Sequence, residues 1–357
     1  MAEPHLWLAL SPHGYGHAVM TAPVIAEVQR RLPGLRLTIQ TALPRAFLET
    51  RYQGFALVPE IVDFGFVMRS STHIDLEASA ERYRRMHADF DRLVATEAAR
   101  LASARPDAVL SNVAYVPLAA AARAGLPALA LSSLNWADMY DHYFGTRPEA
   151  PAILAEIRAA YGSARGFLRC TPAQVMTLPD VATIGPVARR GADRGDELRA
   201  TLGIDPHTRI GLIAFGGIDH RMSLESWPIL PGWVWLCALP DLPSRLDMVA
   251  WERGGVPFSD LISSVDVVVT KPGYGTFTEA ALAGTAVLYV PRPDWPECPH
   301  LEDWLGNHAR SLPAEVAELC GPGLELLLRK LFSLDRPPVA EPTGVAEAAD
   351  AVQRLLS

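Results

Sequence analysis

Cysteine is scarce in this chain. The four in 357 residues, at positions 170, 237, 298 and 320, are far apart and match no metal-ligand spacing, so a disulfide framework and a zinc motif are excluded. Basic residues are outnumbered, 32 Lys and Arg against 40 Asp and Glu, and the net charge of -8 argues against a nucleic-acid surface. A nucleotide ligand stays open, because it needs only a local set of N–H donors. Long apolar runs are missing too. None approaches the roughly 20 residues of a membrane span, so no transmembrane segment is expected. Met1-Ala2-Glu3-Pro4-His5 carries no basic region ahead of strand-like sequence, which predicts no secretory leader and a cytoplasmic protein. No phosphate loop of the Gly-x-x-x-x-Gly-Lys-Ser/Thr order and no Asp-x-Asp metal site is recognised.

What is present is alternation. Hydrophobic residues make up 49% and charged ones 20%, a globular balance, and the length suffices for two ordinary domains. Short apolar runs, Leu6 to Leu10, Leu35 to Thr41, Phe55 to Pro59, Ala108 to Ser111 and Ala128 to Ser132, alternate with helical patterns. That is the signature of a parallel sheet covered on both faces. Val24, Ile25, Val28 and Leu32 make one helix face, and Leu76 to Leu101 make another over a long segment. The composition shifts after Ile184-Gly185-Pro186-Val187 into the charged stretch Arg189 to Asp196, which places a domain boundary there. Strand patterns then resume at Ile210 to Phe215, Trp233 to Cys237, Val265 to Thr270 and Ala286 to Val290. The expected organisation is α/β, with domains over 1–186 and 196–340 and a carboxyl-terminal helix over 341–357.

Two glycine-rich turns carry the chemistry. Ser11-Pro12-His13-Gly14-Tyr15-Gly16-His17 follows the first strand and precedes a helix, the point where open α/β sheets bind ligands. Gly14 and Gly16 let a backbone turn tightly and approach a ligand, and the next helix presents unpaired N–H groups. Lys271-Pro272-Gly273-Tyr274-Gly275-Thr276 repeats this logic before a helix expected over Thr276 to Ala283. Glu279 would fall one turn inside, where its carboxylate could accept bonds from ribose hydroxyls or merely complement the helix dipole.

The paired turns resemble the GT-B glycosyltransferases and, more specifically, the glycosyltransferase-like amino-terminal region of plant L-arabinokinase. The residues that carry the resemblance are His13 to His17, Ser132 to Trp136 with Tyr140, Lys271 to Thr276 with Glu279, and Arg292 to Leu301 containing Glu297-Cys298-Pro299. They occur in the right order over nearly the whole chain. The resemblance implies two doubly wound Rossmann-like domains facing across a cleft. It makes His17 the base that deprotonates an acceptor hydroxyl, and gives Gly216 and Gly217 to the donor diphosphate, Glu279 to the ribose, and Arg292, Asp294 and Glu297 to the donor side with Lys271, Gly273, Gly275 and Thr276. The chain departs from the pattern at Asn112, where an Asp often partners the histidine. Asparagine can orient an imidazole but cannot stabilise its cation by charge. The resemblance stops short of a sugar-kinase domain, so it does not imply phosphorylation of arabinose.

Asn135, Trp136 and Tyr140 are expected on the acceptor, with Trp136 offering a flat ring face and Asp138 a second base. The plainer alternative is a helix start that Asn135 caps and Trp136 packs. The leading expectation is metal-independent sugar transfer from a nucleotide-sugar to a small-molecule or glycan acceptor, with no cofactor beyond the donor substrate. A nucleotide-sugar hydrolase or epimerase, and a sugar-nucleotide binding protein without turnover, are the alternatives.

Overall fold

The computed structural model describes residues 3–61, 63–70, 73–215, 224–238 and 242–357, which divide into two units, each built on its own parallel sheet. Among the described residues no helix is long and apolar enough to cross a membrane.

The first unit holds the amino-terminal part of the chain as far as Val187. Its strands are β1 (His5–Leu10), β2 (Arg36–Gln40), β3 (Phe55–Val58), a small separate pair β4 (Met68–Ser70) and β5 (His73–Ile74), β6 (Ala108–Asn112), β7 (Ala128–Ser132), β8 (Phe167–Cys170) and β9 (Val181–Ile184). Between them run α1 (Gly16–Arg31), α2 (Arg45–Glu49), α3 (Leu76–Ala88), α4 (Phe90–Ala104), α5 (Val116–Arg123), α6 (Trp136–Phe144) and α7 (Ala150–Gly162). The described sheet has the order β3-β2-β1-β6-β7-β8-β9, with parallel pairing throughout. β1, β6 and β7 are buried at every position, as strands covered on both faces must be.

The second unit covers Ala188–Pro342. It contains α8 (Gly195–Leu202), β10 (Arg209–Ile213), β11 (Trp233–Cys237), β12 (Met248–Ala250), α9 (Phe258–Ser264), β13 (Val267–Thr270), α10 (Tyr274–Ala283), β14 (Ala286–Tyr289), α11 (Cys298–Gly306), β15 (Ser311–Pro313), α12 (Val316–Leu319) and α13 (Gly323–Ser333). Its described sheet runs β12-β11-β10-β13-β14-β15, again parallel.

The last helix, α14 (Thr343–Leu355), returns to the first unit. It buries Ala348, Ala349, Val352 and Leu355, and Asp350 pairs with Arg31 at the end of α1. Gly344 N–H donates to Pro186 O at 3.1 Å, and Gly185 N–H donates to Glu347 at 3.2 Å. A Cβ on Gly344 would lie 2.0 Å from Gly185 O. The stretch that reads as a boundary is therefore a close backbone crossing, held by α14.

The long pattern from Leu76 breaks at Asp89, which ends α3 and begins α4. The apolar run after Phe167 stops at Cys170, because Pro172 has no N–H for the ladder. β12 and β15, three residues each, are too short to show a period.

In the second sheet Gly211 of β10 lies opposite Trp235 of β11, and a Cβ on it would come 2.2 Å from the Trp235 ring. Trp235 is fully buried, stacked on Trp233 and edge-on to Trp227. Gly211→Val should therefore lower the unfolding free energy by about 1–3 kcal/mol in urea denaturation. Combined with Trp235→Leu, the total loss should be smaller than the sum of the two single losses.

Candidate active site

The order of the first sheet reverses between β1 and β6, so the loops leaving their carboxyl ends diverge and open a crevice. Leu10 pairs with Asn112 there, and Ser11 N–H donates to Asn112 O at 2.9 Å. The turn between β1 and α1 is tight. Gly14 takes φ +76°, which favours glycine, and its N–H donates to Pro12 O at 2.8 Å. A Cβ on Gly16 would meet nothing within 4 Å, so the fold itself does not demand glycine there.

His17, in the first turn of α1, bridges the reversal: its Nδ1 lies 2.7 Å from Asn112 Oδ1. Asn112 Nδ2 donates to Met20 Sδ at 3.2 Å, which fixes the amide with its oxygen toward the imidazole. Nδ1 therefore carries the proton, and Nε2 presents a lone pair. Burial pulls the His17 pKa down to about 4, against the opposing pull of the Asn112 bond. Near neutral pH the ring is an uncharged base.

Behind it stands a carboxylate with no part in the sequence reading. Asp63 is 3% exposed. Its Oδ1 accepts from Ser11 Oγ at 2.7 Å, and its Oδ2 accepts from Trp136 Nε1 at 2.8 Å. Burial raises its pKa to about 6, with the two hydrogen bonds acting the other way. The one available signal was a lone acid inside the apolar run Ile61 to Val67.

The acceptor-side expectations need correction. Trp136 and Tyr140 lie on the inward face of α6 and are 0% and 1% exposed, so neither presents a ring face to a ligand. Trp136 instead packs edge-on to His13, His17 and Phe66, and Tyr140 edge-on to Tyr83. Asn135 caps α6 by accepting from Asp138 N–H at 2.9 Å. The Asp138 carboxylate accepts from Asn135 Nδ2 at 2.7 Å and from both the N–H and the hydroxyl of Thr177, so it ties the loop after β8 to α6. Three donors thus occupy the Asp138 carboxylate. Asp89-Phe90-Asp91 does have Asp-x-Asp spacing, but it joins two helices, with Asp89 paired to Arg92 and Asp91 to Arg123.

The second sheet reverses between β10 and β13. Thr270 Oγ1 donates to Ala214 O at 2.6 Å across that point. Gly216 and Gly217 lie outside the described residues. α10 begins at Tyr274, two residues earlier than expected, with Gly273 as its N-cap. Gly275 and Thr276 thus occupy the first turn, whose N–H groups have no helical partner. Gly273 has an extended φ of -166°, and a Cβ there would come no closer than 3.9 Å to anything described. Glu279 sits in the second turn and is 4% exposed.

Lys271 and Arg292 supply positive charge after β13 and β14. Burial, then the nearby Arg292, lower the Lys271 pKa to about 8. Arg292 is 5% exposed, with its guanidinium 4.1 Å over the Trp295 ring, and Trp295 Nε1 donates to Glu297 at 3.2 Å. Glu297 is buried at the start of α11, whereas Asp294 is exposed. Lys271 thus lies just ahead of the start of α10, and Arg292 and Glu297 lie in the loop after β14.

Two measurements check these ionisations. Lys271 is one of only two lysines in the chain, the other being Lys330. After reductive methylation with labelled formaldehyde, one of the two lysine signals should titrate near pH 8 and disappear in Lys271→Met. His17, with a folded pKa of about 4 against 6.5 unfolded, should cost the fold stability as pH falls between those values, on the order of 3 kcal/mol in full. Asp63, raised from 3.8 to about 6, has the opposite slope. His17→Gln should therefore gain stability relative to the parent as pH falls from 6.5 to 4 in urea titrations.

No family model matches the chain. It is 26% identical over 317 residues to L-arabinokinase of Arabidopsis thaliana, covering 85% of this chain and 30% of that protein's length. Arabidopsis thaliana UGT89C1 complexed with UDP superposes with a TM-score of 0.58 at 14% identity, over 99% of this chain and all of that one. Glycosyltransferase VinC in complex with dTDP gives 0.57 at 18%, over 99% and 95%. With two Rossmann-like units on separate parallel sheets, the chain has the fold of the GT-B glycosyltransferases.

Proposed function

We propose that the protein transfers a sugar from a nucleoside diphosphate sugar to a hydroxyl of a small-molecule or glycan acceptor. The observation that carries this reading is the bond from His17 Nδ1 to Asn112 Oδ1, which leaves a neutral Nε2 lone pair at the sheet reversal. In the step, the acceptor O–H gives its proton to Nε2 while its oxygen bonds to the anomeric carbon. The bond from that carbon to the diphosphate oxygen breaks, and the electron pair leaves with the nucleoside diphosphate. Lys271, Arg292 and the first-turn N–H groups of α10 meet the charge that develops on the leaving group. Glu279 is assigned to the ribose. The space at Gly16 and Gly273 supports the reading, since neither position is filled by the fold and both lie at helix starts after a sheet reversal.

UDP and dTDP, the nucleotides in the two similar structures, are the first probes. Calorimetry should show binding that weakens roughly tenfold or more in Lys271→Met and in Glu279→Ala. His17→Ala should lower kcat by roughly 10² to 10⁴ and leave that affinity nearly intact. Nucleoside diphosphate release that needs an acceptor supports transfer. Equal release without one makes the protein a hydrolase, and binding without release makes it a binding protein.

A further inference from the structure

We propose that Asp63 is a positioning residue for His17, acting by holding the Trp136 indole against which both histidines of the amino-terminal turn pack. The effect on turnover rests on the transfer reading above; the positioning does not.

The geometry makes the indole a shared wall. Ring centroids lie 5.5 Å from Trp136 to His13 and 5.9 Å to His17, both edge-on. The indole has one polar atom, Nε1–H, which can only donate, and Asp63 Oδ2 receives it at 2.8 Å. The other carboxylate oxygen takes the hydroxyl of Ser11, the residue that joins β1 to the turn. One carboxylate thus ties the end of β1 to the start of α6. The segment carrying it is fixed as well. Gly65 has φ +61°, and a Cβ on it would fall 2.9 Å from both the His13 and the Trp136 rings. The chain passes between the two rings only because that residue is glycine.

Ionisation matters because an ionised carboxylate accepts both bonds, whereas the protonated acid must use one oxygen as a donor. Arg82 favours the ionised form, while the phenols of Tyr83, Tyr115 and Tyr161 are the other titratable groups around it, with His13 and His17 across the indole. Asparagine at 63 can keep the geometry: its oxygen accepts from Trp136, and its amide donates to Ser11 Oγ, which can turn to accept. Asp63→Asn therefore removes the charge and keeps the wall. Asp63→Ala removes both.

The test uses the full chain with labelled tryptophan and histidine side chains, the Trp136 indole signal being assigned with Trp136→Phe. In the parent protein that N–H resonance should titrate with a midpoint near pH 6, and in Asp63→Asn it should be flat. His17 ring signals should move in Asp63→Ala and stay near the parent positions in Asp63→Asn. In turnover, Asp63→Ala should lose roughly 10- to 100-fold in kcat with donor KM within about twofold, and Asp63→Asn should recover most of it. Unmoved His17 signals in Asp63→Ala, or a raised donor KM at unchanged kcat, would overturn the proposal. If Asp63→Ala does not fold, Ser11→Ala and the Asp63→Asn titration decide it. If the parent shows no acceptor-dependent release, the transfer reading falls, and the resonances still judge the positioning.

Discussion

Everything functional in this chain follows from one constraint on buried parallel sheets. A strand covered on both faces cannot hand its chain to a parallel neighbour by a tight turn, so each strand exits at its carboxyl end and returns by a crossover, in most cases through a helix. Where the order of strands reverses, the exits part and leave a crevice that the sheet cannot fill. In the first unit this happens between β1 and β6, and the crevice receives Ser11, His17 and Asn112. In the second it happens between β10 and β13, next to Lys271 and the start of α10. The same arrangement recurs in both units with different chemistry: a neutral base in one, cations beside a helix start in the other.

The first crevice is economical with charge. Asparagine opposite His17 sets the tautomer, and burial lowers the imidazole's proton affinity by more than the Asn112 bond raises it. The nearby buried acid, Asp63, spends both oxygens on Ser11 and Trp136. The second crevice carries the opposite sign. Burial and the nearby Arg292 lower the Lys271 pKa, the Arg292 guanidinium lies over the Trp295 indole, and that indole donates to Glu297.

Apolar alternation and glycine placement determined, from sequence alone, the α/β class, most strands to within a residue or two, and both glycine turns. The reason is that fully buried strands and helix starts leave local signatures in composition and period. The pairing of His17 with Asn112 was also legible, because the resemblance puts the histidine's partner at the end of the strand that is β6. Only the tertiary structure decided which polar residues face inward. Trp136 and Tyr140 lie on a helix whose buried side no local pattern identifies, and Asp138 ties α6 to the loop after β8 because Thr177, thirty-nine residues on, meets it. Asp63 was invisible for the same reason: its partners, 52 and 73 residues away, are joined to it only by the fold. Such contacts depend on how elements stack, and no window of neighbouring residues contains that information.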